Sequence, residues 1–191
     1  MTLPKSWQNS LGLLLSQSRI NSGGQPRIAI MGIGNELRAD DAAGMLVVRQ
    51  LLEYDSTFEK ACVRVIQAGQ APENSTWILR GFEPHLILMI DAADMGEVPG
   101  SVHWIAMEDI SGLSASTHSL PLSMLASYLK QEFDCQVALL GIQPASNAFG
   151  RPVSLEVLQA VDEIVSELSA RFLCSGHPAA YLHVVRGLSD A

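Results

Sequence analysis

The sequence predicts an α/β protein: a three-layer α/β/α sandwich around a mostly parallel five-stranded sheet with one antiparallel strand. Apolar runs typical of strands buried on both faces alternate along the chain with segments whose apolar residues recur at helical spacing. This alternation favours a parallel sheet covered by helices on both faces. One connection between two strands is too short for a crossover helix, which predicts the antiparallel strand.

Five apolar runs are the predicted strands. The first, RIAIMGIG, is apolar at nearly every position, as expected of a strand buried on both faces. The second and third are CVRVIQA and PHLILMIDA, and the fifth is QVALLGI. The fourth, SVHWIAM, follows the third after only ADMGEVPG, so we expect it to run antiparallel to its neighbour.

Four segments between and after these strands are predicted helices. DDAAGMLVVRQLLE follows the first strand, and PENSTWILRG follows the second, with Pro72 in its first turn and Gly81 at its end. A helix within THSLPLSMLASYLKQEF turns four apolar side chains inward: Leu122, Leu125, Ala126 and Leu129. The last helix, SLEVLQAVDEIVSELSARFL, follows the loop QPASNAFGRP and has Ser154 as its predicted N-cap.

We expect one folded domain over residues 27–174. Residues 1–26 are a predicted leader and linker, in which SWQNSLGLLLSQS is either a short amphipathic helix or a disordered leader. The apolar stretch of this leader is too short for a signal peptide. Residues 175–191 form a tail without a periodic pattern.

The composition argues against several classes of partner. The chain has 20 acidic and 12 basic residues, a net charge of -8 and no basic run, which disfavours a nucleic-acid partner. No apolar run approaches the ~20 residues that span a bilayer, so we expect no membrane association. The three cysteines form no C-x-x-C pair, which indicates reduced thiols and a cytoplasmic location. For a single compact domain we expect a monomer.

Polar side chains that follow the predicted strands are the candidate functional residues, because open α/β sheets bind ligands beyond the carboxyl ends of their strands. Asp40 and Asp41 follow the first strand. Asp91 ends the third, and His118 follows the fourth. Each also has a structural interpretation, as a helix cap, a turn residue or a loop histidine. Adjacent helical side chains point about 100° apart, so we assign Asp40 to the helix cap and Asp41 to the cleft.

Asp41, Asp91 and His118 together would form a mixed oxygen and nitrogen site with open coordination positions. Such donors suit nickel, zinc, cobalt or manganese and do not choose among them. The spacing of these residues along the chain matches no compact metal motif, so the residues alone leave the identity of the ion open.

The stretch IAIMGIGNELRADDAAG also has features of a nucleotide-binding turn, in which a strand runs into glycines before a helix. Leu37 stands where a third glycine would open that helix, and Asp40 and Asp41 would repel a phosphate. We therefore favour a cation site and keep a nucleotide-binding module as the alternative.

Five motifs, in this order, resemble those of the [NiFe]-hydrogenase maturation endopeptidases: GIGNELRADDAAG, GQAPEN, IDAADMGEVPG, STHSLPL and LLGIQP. The resemblance covers roughly residues 28–168 and implies an α/β/α fold. It also implies a hydrolase that removes the C-terminal extension of a hydrogenase large-subunit precursor after nickel has been inserted there. The family's metal-binding residues correspond to Asp41, Asp91 and His118 of this sequence.

The resemblance further suggests how such a site recognises its substrate. Nickel already seated in the precursor would complete its coordination with the three residues, and another divalent metal is the alternative. Two routes for hydrolysis stay open: a metal-polarised water, or a carboxylate acting as general base, for which Asp41 and Asp91 are the candidates. The second route would make the protein an aspartate-dependent protease.

Two positions depart from the family pattern. Gln67 stands where family members often carry Asp, and Ala42 stands where glycine is usual after the acidic pair. Because Gln67 cannot ionise, a non-catalytic factor that binds nickel or the precursor is the alternative function.

Overall fold

The computed structural model describes residues 6–53, 62–105 and 121–173. Within these ranges, one sheet of five strands lies between two layers of helices, which confirms the predicted α/β/α sandwich. The strands are β1 (Ile28–Ile33), β2 (Val63–Gly69), β3 (Leu86–Ala92), β4 (Val102–Ile105) and β5 (Gln136–Ile142). The helices are α1 (Trp7–Ser22), α2 (Ala43–Leu52), α3 (Thr76–Phe82), α4 (Leu122–Phe133) and α5 (Leu155–Leu173), with 3₁₀ helices at Ala39–Ala42 and Pro72–Ser75.

The strand order is β2-β1-β3-β5-β4, and β4 runs antiparallel to β5 as predicted. The pairs β1–β2, β1–β3 and β3–β5 are all parallel. The carboxyl ends of these four strands therefore lie along one edge of the sheet, where chemistry is expected in such folds.

Two apolar clusters lie on the two faces of the sheet, because successive strand side chains point to opposite faces. In β1, Ile28 and Ile30 pack with α1, α2 and α5, whereas Ala29, Met31 and Ile33 pack with α3 and α4. This double burial explains why the strand is apolar at every position. The four side chains predicted to face inward from α4 are all buried: Leu122, Leu125, Ala126 and Leu129.

The N-terminal segment is helical rather than disordered, and α1 packs on the core. Trp7 and Leu11 are buried in the same apolar cluster as residues of α5. The Trp7 indole N–H donates to Glu163 (3.2 Å), and the Arg171 guanidinium donates to the Gln8 carbonyl (2.9 Å). The domain limits proposed from the sequence stay a prediction.

The predicted end of α3 at Gly81 is one residue too early. The helix continues to Phe82, and Glu83 takes the left-handed conformation that ends it, with φ of 51°. Pro84 follows, and a residue before proline is disfavoured in the right-handed helical region, so the chain turns at Glu83 instead. Pro72 lies in the first turn of the preceding 3₁₀ helix, as expected.

None of the helices in the described ranges is both long and apolar enough to cross a bilayer.

The chain enters β3 through His85, whose Nδ1 accepts a hydrogen bond from the backbone N–H of Arg27 (3.0 Å). Burial, and after it the positive charge of Arg27, lowers the pKa of His85 from its ordinary value of 6.5. The unfolded chain therefore takes up this proton at a higher pH than the folded protein does. The His85 contribution to stability is present above pH 6.5 and decreases as the pH falls through the lower, folded pKa.

We expect His85→Asn to reduce the loss of stability on acidification. The Asn Oδ1 can accept the same hydrogen bond from Arg27 but cannot be protonated in this pH range. The melting temperature of each protein, measured by calorimetry at about pH 7.5 and about pH 5, should fall less in the variant. An equal decrease in both proteins would contradict the assignment.

Candidate active site at the carboxyl edge of the sheet

The turn after β1 is closed by Asp41. The backbone N–H of Asn35 donates to Asp41 Oδ2 (3.0 Å) and to the Asp41 carbonyl (3.2 Å). The Asn35 Oδ1 accepts from the backbone N–H of Leu37 (2.9 Å), which adds a further hydrogen bond within the turn. We call residues 34–42 the acidic turn. These bonds fix the position of the Asp41 carboxylate.

Gly34 makes this turn possible. Its φ is +136°, and a Cβ added there would lie 1.8 Å from the Asp41 carbonyl oxygen. Its N–H donates to the Gly69 carbonyl at the end of β2 (3.1 Å). The glycine therefore lets the backbone pass directly beside Asp41.

Gly44 brings α2 close to two strands. A Cβ added at Gly44 would lie 2.1 Å from the Ile90 carbonyl oxygen and 2.4 Å from that of Ile33. The 3₁₀ helix Ala39–Ala42, directly before α2, contacts β3. The start of α2 thus places Asp41 over the end of β3, where Asp91 follows Ile90.

The structure brings two of the three predicted site residues to one edge of the sheet. Asp91 is 1% exposed near the end of the central strand β3, and Asp41 is 3% exposed in the acidic turn after the adjacent strand β1. His118 lies outside the described residues. Among 6–53, 62–105 and 121–173, no three His, Cys, Asp or Glu side chains form a group able to hold a metal ion. The predicted set of Asp41, Asp91 and His118 stays a prediction.

Asp40 does not cap the helix that follows it, contrary to the sequence prediction. Its Oδ2 accepts from the backbone N–H groups of Ala145 (2.8 Å) and Ser146 (3.0 Å) and from the Ser154 hydroxyl (3.0 Å). Its Oδ1 accepts from the Ser154 N–H (2.6 Å). The side chains of Asp40 and Asp41 point in different directions, as predicted. That of Asp40, however, contacts the β5–α5 loop, residues 143–154.

Ser154 lies at the predicted N-cap position, directly before α5. Its hydroxyl donates to Asp40. The carboxylate of Asp40 therefore anchors the start of α5, although the two segments are more than a hundred residues apart in the sequence.

Gln143 is a buried polar residue of this edge and is not among the site residues predicted from the sequence. Its Oε1 accepts from the N–H groups of Met95 (2.7 Å) and Glu97 (3.2 Å). Its Nε2 donates to Asp94 Oδ1 and to the Pro144 carbonyl, both at 3.2 Å. Gln143 thereby holds the β3–β4 loop, residues 93–101, beside the end of β5. The motif LLGIQP contains this glutamine, but nothing in the sequence shows what its amide contacts.

Gln67 is exposed near the end of β2, opposite Gly32 of β1. Burial raises the pKa of the Cys135 thiol to about 11, so this cysteine is protonated at neutral pH and is a poor nucleophile. Cys135 is buried, Cys62 is half-buried, and Cys174 lies outside the described ranges.

Comparison with known proteins identifies relatives across most of the chain. The model of the family described as "HycI: Hydrogenase maturation protease" matches residues 45–171. A protein of Methanocaldococcus jannaschii named putative hydrogenase maturation protease is 41% identical over 147 residues, covering 74% of this chain and 86% of its own. The Hydrogenase 3 maturation protease of Escherichia coli is 34% identical over 140 residues, covering 73% and 86%.

Solved structures agree with the sequence relatives. The crystal structure of the [NiFe] hydrogenase maturation protease HycI of Thermococcus kodakarensis superposes with a TM-score of 0.70 at 31% identity, covering 84% of this chain and 98% of its own. The fold and these relatives together define the protein as a hydrolase of the protease class. Within that class, the chain belongs to the hydrogenase maturation proteases. The family match favours the protease over the nucleotide-binding alternative.

Proposed function

We propose that this chain is an endopeptidase that removes the C-terminal extension of a [NiFe]-hydrogenase large-subunit precursor after nickel insertion. In this proposal Asp41, Asp91 and His118 contact the nickel that the precursor carries. The observation that supports it most directly is the burial of Asp41 and Asp91 at one edge of adjacent strands. The named activity of the relatives supports the reaction class.

The two described donors suit a divalent cation. Burial of a carboxylate is unfavourable unless hydrogen-bond donors or an opposite charge compensate it, and a cation would serve both carboxylates together. Oxygen donors from Asp41 and Asp91 with one imidazole from His118 form a set compatible with nickel, and also with zinc, cobalt or manganese. Among these metals we assign nickel to the site, because the precursor supplies the ion.

A site completed by the substrate explains how processing depends on nickel insertion. When bound, nickel supplies a contact that only a correctly assembled precursor can offer, so an empty precursor binds the site less well. The Asn35 N–H holds Asp41 Oδ2 in place. We propose that Asp41 or Asp91 accepts the proton of the attacking water, because either carboxylate can act as general base at this edge.

The decisive experiment mixes the purified chain with nickel-containing and nickel-free large-subunit precursor and follows peptide release by mass spectrometry. We expect release of the C-terminal peptide from the nickel-containing precursor only. Stable binding of both precursors without any release would favour the alternative, a non-catalytic maturation factor, to which the uncharged Gln67 lends support. Equal cleavage of both precursors would contradict recognition through nickel.

A further inference from the structure

Three loops meet at the carboxyl edge of the sheet, and a short piece of the β5–α5 loop lies between the other two. Residues 143–146 directly follow β5. On one side they contact the acidic turn, which carries Asp41. On the other side they contact the β3–β4 loop, which begins two residues after Asp91. The piece formed by residues 143–146 is called the bridging segment.

The contact with the acidic turn is made by Asp40 through both its side chain and its main chain. The carboxylate accepts from the N–H groups of Ala145 and Ser146, and the Asp40 N–H donates to the Ser146 carbonyl (3.0 Å). Further along the β5–α5 loop, the Gly150 N–H donates to the Leu37 carbonyl of the acidic turn (2.8 Å). These bonds fix the position of the acidic turn relative to the bridging segment. Asp41, the next residue, is held with it.

The contact with the β3–β4 loop is made by Gln143, again through both side chain and main chain. Its side-chain amide accepts two hydrogen bonds through Oε1 and donates two through Nε2, which fixes the orientation of the side chain. Its carbonyl accepts from the Gly100 N–H (2.9 Å), and its N–H donates to the Ser101 carbonyl (2.9 Å). Just before it, the Ile142 carbonyl accepts from the Ala93 N–H (2.9 Å).

Asp40 and Gln143 are both buried, at 1% and 6% exposure, and their polar groups are matched with donors and acceptors. Buried networks of this kind specify one arrangement of the groups that they join. We propose that the bridging segment sets the separation of the Asp41 and Asp91 carboxylates, with Asp40 and Gln143 as positioning residues. This inference rests on the proposed function, because it assigns to these residues an effect on the catalytic step.

The test uses Asp40→Asn and Gln143→Met, with Gln136→Met as the matched control. Gln136 is the first residue of β5, the strand that Gln143 directly follows, and lies at the opposite edge of the sheet, where its Oε1 accepts from the buried Ser18 hydroxyl (2.7 Å). We expect all three substitutions to lower the melting temperature. Only Asp40→Asn and Gln143→Met should lower kcat for precursor processing, by ~10–100-fold, with KM changed by less than about twofold.

A double variant separates positioning from general weakening of the fold. Because both residues act through the bridging segment, the loss of kcat in Asp40→Asn/Gln143→Met should be smaller than the product of the single losses. Ser154→Ala, which removes one of the four hydrogen bonds to Asp40, provides a milder variant should Asp40→Asn fail to fold. It should lower kcat by a smaller factor.

Asp91→Asn, assayed in parallel, separates this inference from the proposed function. Processing by Asp91→Asn at the wild-type rate would overturn the proposed site and the positioning inference with it. If Asp91→Asn is inactive while the folded positioning variants keep the wild-type kcat, the positioning inference alone is wrong. A multiplicative loss in the double variant would also overturn it.

Discussion

Asp91→Asn is expected to fold normally and to lose about 10²–10⁴-fold in the rate of precursor processing. Asn has nearly the shape of Asp, so the packing of Asp91 at the end of β3, opposite Gly141 of β5, should be kept. The substitution removes the negative charge that we assign to contact with nickel or to proton transfer. Release of the C-terminal peptide over time, measured by mass spectrometry, gives the rate.

The matched control is Asp134→Asn, the same chemical change at the opposite edge of the sheet. Asp134 is exposed just before β5 and has φ of 45°, a conformation that Asn adopts readily. The Asp134→Asn variant should process the precursor at the wild-type rate. A large loss of activity in Asp134→Asn, or none in Asp91→Asn, would contradict the assignment.

A pair of substitutions at Asp41 separates its charge from its role in the acidic turn. Asp41→Asn keeps an oxygen that can accept from the Asn35 N–H, whereas Asp41→Ala loses it. If the charge is what processing needs, both variants should be inactive, and only Asp41→Ala should also be less stable. An active Asp41→Asn would limit Asp41 to a structural part in the turn.

The layers and strands of the fold could be predicted from the sequence because burial dictates them locally. A run such as IAIMGI has no polar position to place in water, so it specifies a strand covered on both faces. The short ADMGEVPG connection likewise specified the direction of β4 relative to β5. The end of α3 was misplaced because a glycine that can end a helix is not obliged to do so.

The candidate site was predictable only where position along a strand determines position in space. Asp41 and Asp91 were predicted to share an edge because parallel strands have a common direction. The partners of Asp40 were not, because Ser146 and Ser154 are more than a hundred residues away, and an acid at a helix start normally suggests a local cap. The contacts of Gln143 were not predictable either, since three of its four side-chain hydrogen bonds are to main-chain groups, which any sequence could supply.

The second large effect is expected for Gly34→Ala, which should lower the free energy of unfolding by about 3 kcal/mol or more. Two penalties combine: the positive φ of +136°, and the approach of a new Cβ to 1.8 Å from the Asp41 carbonyl oxygen. For a chain of this length, the melting temperature should fall by at least about 6 °C. The displaced backbone would be that of Asp41 itself, so processing should also be lost in the protein that still folds.

Three other glycines separate the two penalties. Gly44→Ala tests the close contact alone, since its Cβ would lie 2.1 Å from the Ile90 carbonyl oxygen at an ordinary φ. Gly150→Ala tests positive φ alone, at +70° with open space around it, and should cost about 1–2 kcal/mol. Gly81→Ala, inside α3 with neither penalty, should be neutral or slightly stabilising.

Thermal unfolding of these four variants distinguishes a tightly packed turn from a merely flexible one. If the acidic turn depends on the backbone passing beside Asp41, Gly34→Ala and Gly44→Ala should both be clearly less stable than Gly150→Ala. A Gly34→Ala variant no less stable than Gly150→Ala would mean that the turn can open without cost. The Asp41 carboxylate would then not be held in place by the turn, and the geometric basis for a preformed site at this edge would be lost.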